Sequence, residues 1–287
     1  MDVNTIHKSR ATGYMLTAVL FFAVVHASVK HLTRIPFFEL VFFRALITFV
    51  VSAAILKWRR KSLRGNHYPL LLARGAAGAV ALTLYFFTLQ KMPLATAVTL
   101  QHLSPVFALV FAGFLLKEKT SKWQWLALVL AFLGVLFVKG FDARVSMGEV
   151  VVGVMAAAFS ALAYNFVRML KDYEDALVVV FYFPLVTLPL ITPVTLYYWV
   201  PPTWSEWPWV LAIGLCTQIS QVYMTKAYQA APLSNVVIVK YLGIVFALAI
   251  GWLAFDEPVQ WLSFLGMILI VLAVLVGSRL KGAPVSQ

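Results

Sequence analysis

Of the 287 residues, 62% are hydrophobic and only 12% are charged, whereas soluble domains carry roughly 25% charged residues. With a mean hydropathy of +0.88 this composition excludes an ordinary soluble fold. The net charge of +12 requires no nucleic acid, because anionic lipid headgroups and the orientation bias of membrane proteins both collect basic residues. Cys216 is the only cysteine, so no internal disulfide forms.

Ten apolar runs follow one another, at 11–32, 35–57, 68–90, 94–116, 123–139, 147–169, 176–198, 208–229, 233–255 and 259–279. Most approach the ~20 residues a helix needs to cross a bilayer, and none alternates in the ~10-residue manner of a barrel strand. The first run follows Lys8 and Arg10 but exceeds the ~7–15 residues of a signal-peptide core and lacks an A-x-A site, so it is read as a retained span. His26 lies on this run. The second holds Glu39 near its outer end and Arg44 inside it. The third carries Arg74 near its inner end, where the side chain is expected to reach the interface, and then Tyr85. Gln101 and His102 sit on the fourth run, which closes on Glu118, and Tyr164 and Asn165 on the sixth. After the seventh comes PPTWSEWPW (201–209), which with Trp199 reads as an outer aromatic belt.

The eighth run places Gly214, Gln218, Gln221 and Thr225 on one helical face. Glutamines facing lipid would each cost several kcal/mol, so this stripe faces protein or a cavity. Lys240 lies seven residues into the ninth run, ~10 Å along the axis, too deep to snorkel comfortably. Ionisable groups at such depth face a bundle interior or an aqueous cavity.

Residues 93–118 and 232–257 align without a gap at an offset of 139. They share Pro93/Pro232, Leu94/Leu233, a Val-Phe-Ala-Leu block and the closing pair Glu118/Glu257. That offset contains five runs, an odd number, so the two copies cross the membrane in opposite senses. Of the 23 Lys and Arg residues, fifteen fall on one side of such a ten-span array. Five lie on the other side (Lys30, Arg34, Lys91, Lys139, Arg144), and Arg44, Arg74 and Lys240 lie within spans. The positive-inside rule then predicts cytoplasmic termini. The expected architecture is an all-α integral membrane protein with ten transmembrane helices in two inverted five-helix repeats, 11–139 and 147–279. Inverted repeats are a transporter device, with a site near the midplane at the repeat interface.

These features resemble the EamA family of the drug/metabolite transporter superfamily. The resemblance rests on the two five-helix halves, Phe42-Phe43-Arg44, the Pro-Leu openings and the acidic closers Glu118 and Glu257. It implies a transporter of small organic solutes in the bacterial inner membrane, monomeric or homodimeric, without a cofactor. Relatives move amino acids, nucleotide sugars, sugar phosphates, vitamins and drugs, and some sugar-phosphate relatives use a ninth-helix lysine. The resemblance also implies a structural or gating role for Arg44.

No H-E-x-x-H, G-x-S-x-G or Walker motif occurs, and no cluster of metal ligands is visible, so neither catalysis nor ATP hydrolysis is expected. The expected substrate contacts are Lys240, Tyr241, Gln101, His102, Gln218, Gln221, Tyr85 and Asn165. Arg44, Glu39, Glu118 and Glu257 are expected to be gate or structural residues. The expected function is secondary export of an amino acid or related carboxylate. The alternatives are uptake of a nucleoside-like or vitamin-like solute, such as S-adenosylmethionine or riboflavin, and, less favoured, a lipid scramblase or membrane enzyme.

Overall fold

The computed structural model describes residues 3–115, 122–140, 144–230, 239–258 and 261–279. Among these, eleven helices of eight residues or more occur and no strand. They are α1 (Val3–His31), α2 (Phe37–Trp58), α3 (Tyr68–Lys91), α4 (Leu94–Gln101), α5 (Ser104–Leu115), α6 (Lys122–Gly140), α7 (Met147–Met169), α8 (Ala176–Tyr197), α9 (Trp207–Ala230), α10 (Leu242–Phe255) and α11 (Trp261–Arg279). Six segments are long and apolar enough to cross a membrane by length and composition: 10–31, α1's apolar part; α2; α3; 94–115; α7; and α8.

The helices bury their polar side chains and expose apolar ones. On α2, Glu39, Arg44, Thr48 and Ser52 are buried while Leu46 and Val50 are exposed. In water this arrangement would be reversed; in lipid the polar groups need internal partners. Trp199, Trp204 and Trp209 are exposed at one end of the molecule, with Trp204 almost fully so, as an interfacial belt requires.

The sequence offset of 139 reappears in the packing. A shift by 139 carries α1 to α7, α2 to α8, α3 to α9 and α6 to α11. The contact of α1 with α9 then maps onto that of α7 with α3, and α2 with α9 onto α8 with α3. The pairs α2–α8 and α6–α11 map onto themselves. Single residues obey the same rule. A Cβ on Gly214 would lie 2.5 Å from Ile47, and one on Gly75 would lie 2.7 Å from Val186. Gly214 is the repeat mate of Gly75, and Val186 that of Ile47. In both places glycine lets two helices approach where a side chain would not fit.

The fourth apolar run is not one unbroken helix. Residues 102–103 form a turn between α4 and α5. Pro105 in the first turn of α5 cannot donate to the carbonyl of Gln101, and its ring disfavours continuous helix before it. The ninth run is interrupted at Tyr241, the repeat mate of His102, where Ile244 N donates to Tyr241 O over three residues (3.0 Å). No proline lies at this second break; Gly243, a poor helix former, is in the first turn of α10 just after it.

Loops from the two halves hold each other at both ends. At the tryptophan end, Arg34 donates to Glu206 (Nε–Oε1 2.9 Å) and to Pro201 O (2.8 Å), and buried Glu39 accepts from Val200 N (2.9 Å). At the other end Lys61 pairs with Asp175, and Glu174 accepts from the backbone of Asn66 and His67. These are the same two kinds of loop with the halves exchanged.

Candidate functional site

A central cavity of about 120 Å³ lies among α1, α2, α3, α7, α8, α9 and the two helix breaks. The broken helices supply Gln101, His102 and Lys240, because a turn within a span turns side chains and backbone carbonyls toward the interior. His102 spans both breaks: Nδ1 lies 2.7 Å from Val98 O and Nε2 2.9 Å from Lys240 O. Gln101 donates to Ser160 Oγ (2.7 Å) and leaves its carbonyl oxygen without a partner among the described residues.

The lining is cationic. Lys240, Arg44 and Arg74 all contribute, and among the described residues that line the cavity none is acidic. Lys240 Nζ lies over the Tyr164 ring at 4.7 Å, with Tyr164 OH at 3.4 Å and Ser104 Oγ at 3.5 Å. Among the described lining residues none carries an opposite charge, so the ammonium is stabilised by the Tyr164 ring and by the hydroxyls of Tyr164, Ser104 and Tyr228. His26 lines the same space, with Nε2 3.2 Å from Tyr85 OH and its ring edge-on to Tyr85.

Of the eight residues expected to contact substrate, Lys240, Gln101, His102, Gln221 and Tyr85 line the cavity. Tyr241 lies beside His102 with the rings tilted (centroids 5.3 Å apart), and its buried hydroxyl has no partner among the described residues. Gln218 and Asn165 are turned to neighbouring helices instead. Gln218 accepts from Ser52 Oγ (3.0 Å), and Asn165 donates to Ala108 O (3.1 Å). Both are buried and bond to neighbouring helices, although Gln218 Nε2 has no hydrogen-bond partner among the described residues.

Arg74 corrects the expectation that it reaches the interface. It is 4% exposed, lies over the Phe183 ring at 4.5 Å, and lines the cavity. The aromatic face of α8 draws it inward. Ser160 and Phe183 join the lining without having been singled out from the sequence; their only sequence signal is their place on helices adjoining the breaks.

Glu257 sits apart from the cavity. Asp256 ends α10 in the left-handed conformation (φ 51°), which Asp tolerates better than most residues, and this turns the chain back toward α4. Glu257 Oε2 then accepts from Leu94 N (2.7 Å), and Oε1 pairs with Lys30 at 2.8 Å. Lys30 also donates to Met92 O (2.6 Å). A carboxylate at a helix N-terminus satisfies free N–H groups and complements the helix dipole. Gln90 donates to Leu32 O and Ile35 O (both 2.8 Å), so α1, α3, α4 and α10 are tied together at this end. Glu118, the repeat mate of Glu257, lies outside the described residues.

The EamA-like transporter family profile matches residues 10–140 and 147–279. The pseudopaline exporter CntI of Pseudomonas aeruginosa (strain UCBPP-PA14) is 35% identical over 266 residues, covering 91% of this chain and 93% of the relative. The S-adenosylmethionine uptake transporter of Rickettsia prowazekii (strain Madrid E) is 23% identical, covering 85% and 83% of the two chains. The riboflavin transporter of Vibrio cholerae serotype O1 is 26% identical, covering 93% and 92%. A solved crystal structure superposes with a TM-score of 0.69 at 22% identity, over 96% of this chain and 99% of that one, which shows the fold alone.

Proposed function

The chain belongs to the EamA-like transporter family, and on that premise we propose that it is a secondary exporter of a small carboxylate-bearing metabolite, such as an amino acid derivative. It works by alternating access in the bacterial inner membrane. Ten spans form two inverted units, 11–139 and 147–279, with both termini in the cytoplasm. The observation that carries the reading is the cationic cavity: Lys240, Arg44 and Arg74 converge on it with no acidic residue among the described lining. Buried charges left unpaired cost several kcal/mol each, so a site of this kind favours an anionic cargo. Export is favoured over uptake because the relative at 35% identity is named as an exporter, while those named for S-adenosylmethionine uptake and riboflavin stand at 23% and 26%. A scramblase is disfavoured because the polar lining residues Arg44, Arg74 and His102 are buried within the helices.

Lys240 is the anchor in this mechanism. Its position beside a helix break supports this reading, since in inverted-repeat carriers such breaks lie at the repeat interface. Release of the Lys30–Glu257 bridge and the Gln90 contacts opens the outer end, and the anion leaves. The test is efflux of labelled glutamate and related carboxylates from proteoliposomes, normalised to monodisperse protein. Lys240→Met is expected to abolish it, and Lys240→Arg to retain part, since a planar fork replaces a compact ammonium. Full efflux in a well-folded Lys240→Met variant would remove Lys240 from the mechanism.

A further inference from the structure

Arg44 and Arg74 present a second cationic pole. Both are almost fully buried, 3% and 4% exposed, and both lie against one ring, Phe183, at 5.4 and 4.5 Å from its centroid. Arg44 Nε donates to Thr217 Oγ1 (3.0 Å), but Arg44 Nη1 and Arg74 Nε and Nη1 have no hydrogen-bond partner among the described residues. Cation–π contact returns less than burying an unpaired guanidinium costs. Two adjacent guanidiniums with unused donors on a cavity wall are therefore incomplete without an anion.

The repeat shows that the fold itself does not require these charges. Phe183 is the repeat mate of Arg44, Ile213 that of Arg74, and Thr217 that of Gly78. Where the second half builds the corresponding wall it uses an aromatic and an aliphatic side chain. Gly78 makes room for the pair: a Cβ there would lie 2.7 Å from Arg74 Nη1 and 2.8 Å from the Phe183 ring. Lys240 is likewise charged where its mate, Gln101, is neutral. Its described contacts are Tyr164, Ser104 and Tyr228, away from the Phe183 ring that holds both arginines, so it forms a separate pole of the same cavity.

We infer that the cavity recognises organic anions carrying at least two carboxylates, one held by Lys240 and the other by the Arg44–Arg74 pair. The guanidinium forks suit the second carboxylate because each can offer two parallel N–H donors to its two oxygens. Arg44 is then a specificity-determining contact as well as a packing residue. The inference rests on the reading of the protein as a carrier of organic anions and narrows its cargo.

The test is thermal stabilisation of the purified full-length protein at constant ionic strength. The probes are α,ω-diacids from glutarate to pimelate, each beside its monoamide, which keeps length and shape and removes one charge. At one or more lengths the diacid is expected to bind about tenfold more tightly than its monoamide, equivalent to ~1.4 kcal/mol. Arg44→Gln or Arg74→Gln should reduce that ratio below about threefold while leaving monoamide binding in place, and Lys240→Met should weaken both ligands. Gly78→Ala displaces the Arg74 fork without removing its charge, so it should narrow the ratio too, and it decides the matter if the glutamine variants do not fold. Equal binding of diacid and monoamide at every length, or a ratio unchanged in Gly78→Ala, overturns the two-pole inference and leaves the single-anion carrier standing. Absence of stabilisation by any probe overturns both.

Discussion

Lys240 and Gln101 occupy equivalent positions in the two repeats, yet only one bears a charge. The depth of Lys240 within its apolar run was enough to mark it as a cavity residue, because no ordinary extension brings an ammonium from there to water. Gln218 and Asn165 were less legible. A buried amide can face a lumen or bond to a neighbouring helix, and here Ser52 donates to the Gln218 oxygen and Ala108 O accepts from Asn165. The surface clasp adds a residue-scale prediction. The hydrogen bond from Arg34 holds the Glu206 carboxyl down to about 2, with help from Thr203. Because the folded value lies below the ordinary carboxylate range of ~4.3, this clasp contributes fully above about pH 4.5 and is lost as pH falls toward 2. Thermal unfolding followed from pH 6 to pH 3 should show a progressive loss in the native protein, and Glu206→Gln should flatten part of that slope. A Glu206→Gln profile parallel to the native one would show that the clasp contributes nothing measurable.

At the level of elements, each half repeats the other's contacts, which makes stability testable in pairs. Gly214→Ala forces a methyl against Ile47 and should cost about 1–3 kcal/mol, with Ile47→Ala restoring part of the loss. The mate pair, Gly75→Ala with Val186→Ala, should show coupling of the same sign and similar size. Coupling in one pair alone would mean that the two interfaces carry unequal loads. The Glu257 turn makes a different prediction. Since it ties α10 to α4 and α1 away from the cavity, Glu257→Gln should lower turnover severalfold while apparent affinity moves less. Affinity loss with turnover intact would place Glu257 in the binding site. The helix breaks explain what composition could not supply. The apolar runs gave the helices, but a run does not reveal a turn inside it; Pro105 was the only local signal of the first break, and the second has none comparable.

For the whole molecule, the offset of 139 was legible from a short internal match, and the principal pairings of α1, α2, α3, α7, α8 and α9 follow it. Which walls of the cavity carry charge was not legible, since Arg74 is drawn inward by a ring on a distant helix. The proposed orientation is open to direct labelling. In a Cys216→Ser background, a membrane-impermeant maleimide applied to sealed cells should label Ser205→Cys and spare Ser62→Cys; the opposite pattern would invert the topology. The central claim, that a cationic cavity makes this chain a carrier of organic anions, is tested most directly by charge sorting. Proteoliposomes are loaded with a labelled mixture of metabolites of similar size that differ in net charge, and efflux is followed for each. The account predicts that the anionic fraction leaves, multiply charged carboxylates fastest, and that the neutral and cationic fractions are retained. Efflux of the neutral or cationic solutes with the anions held back would contradict it.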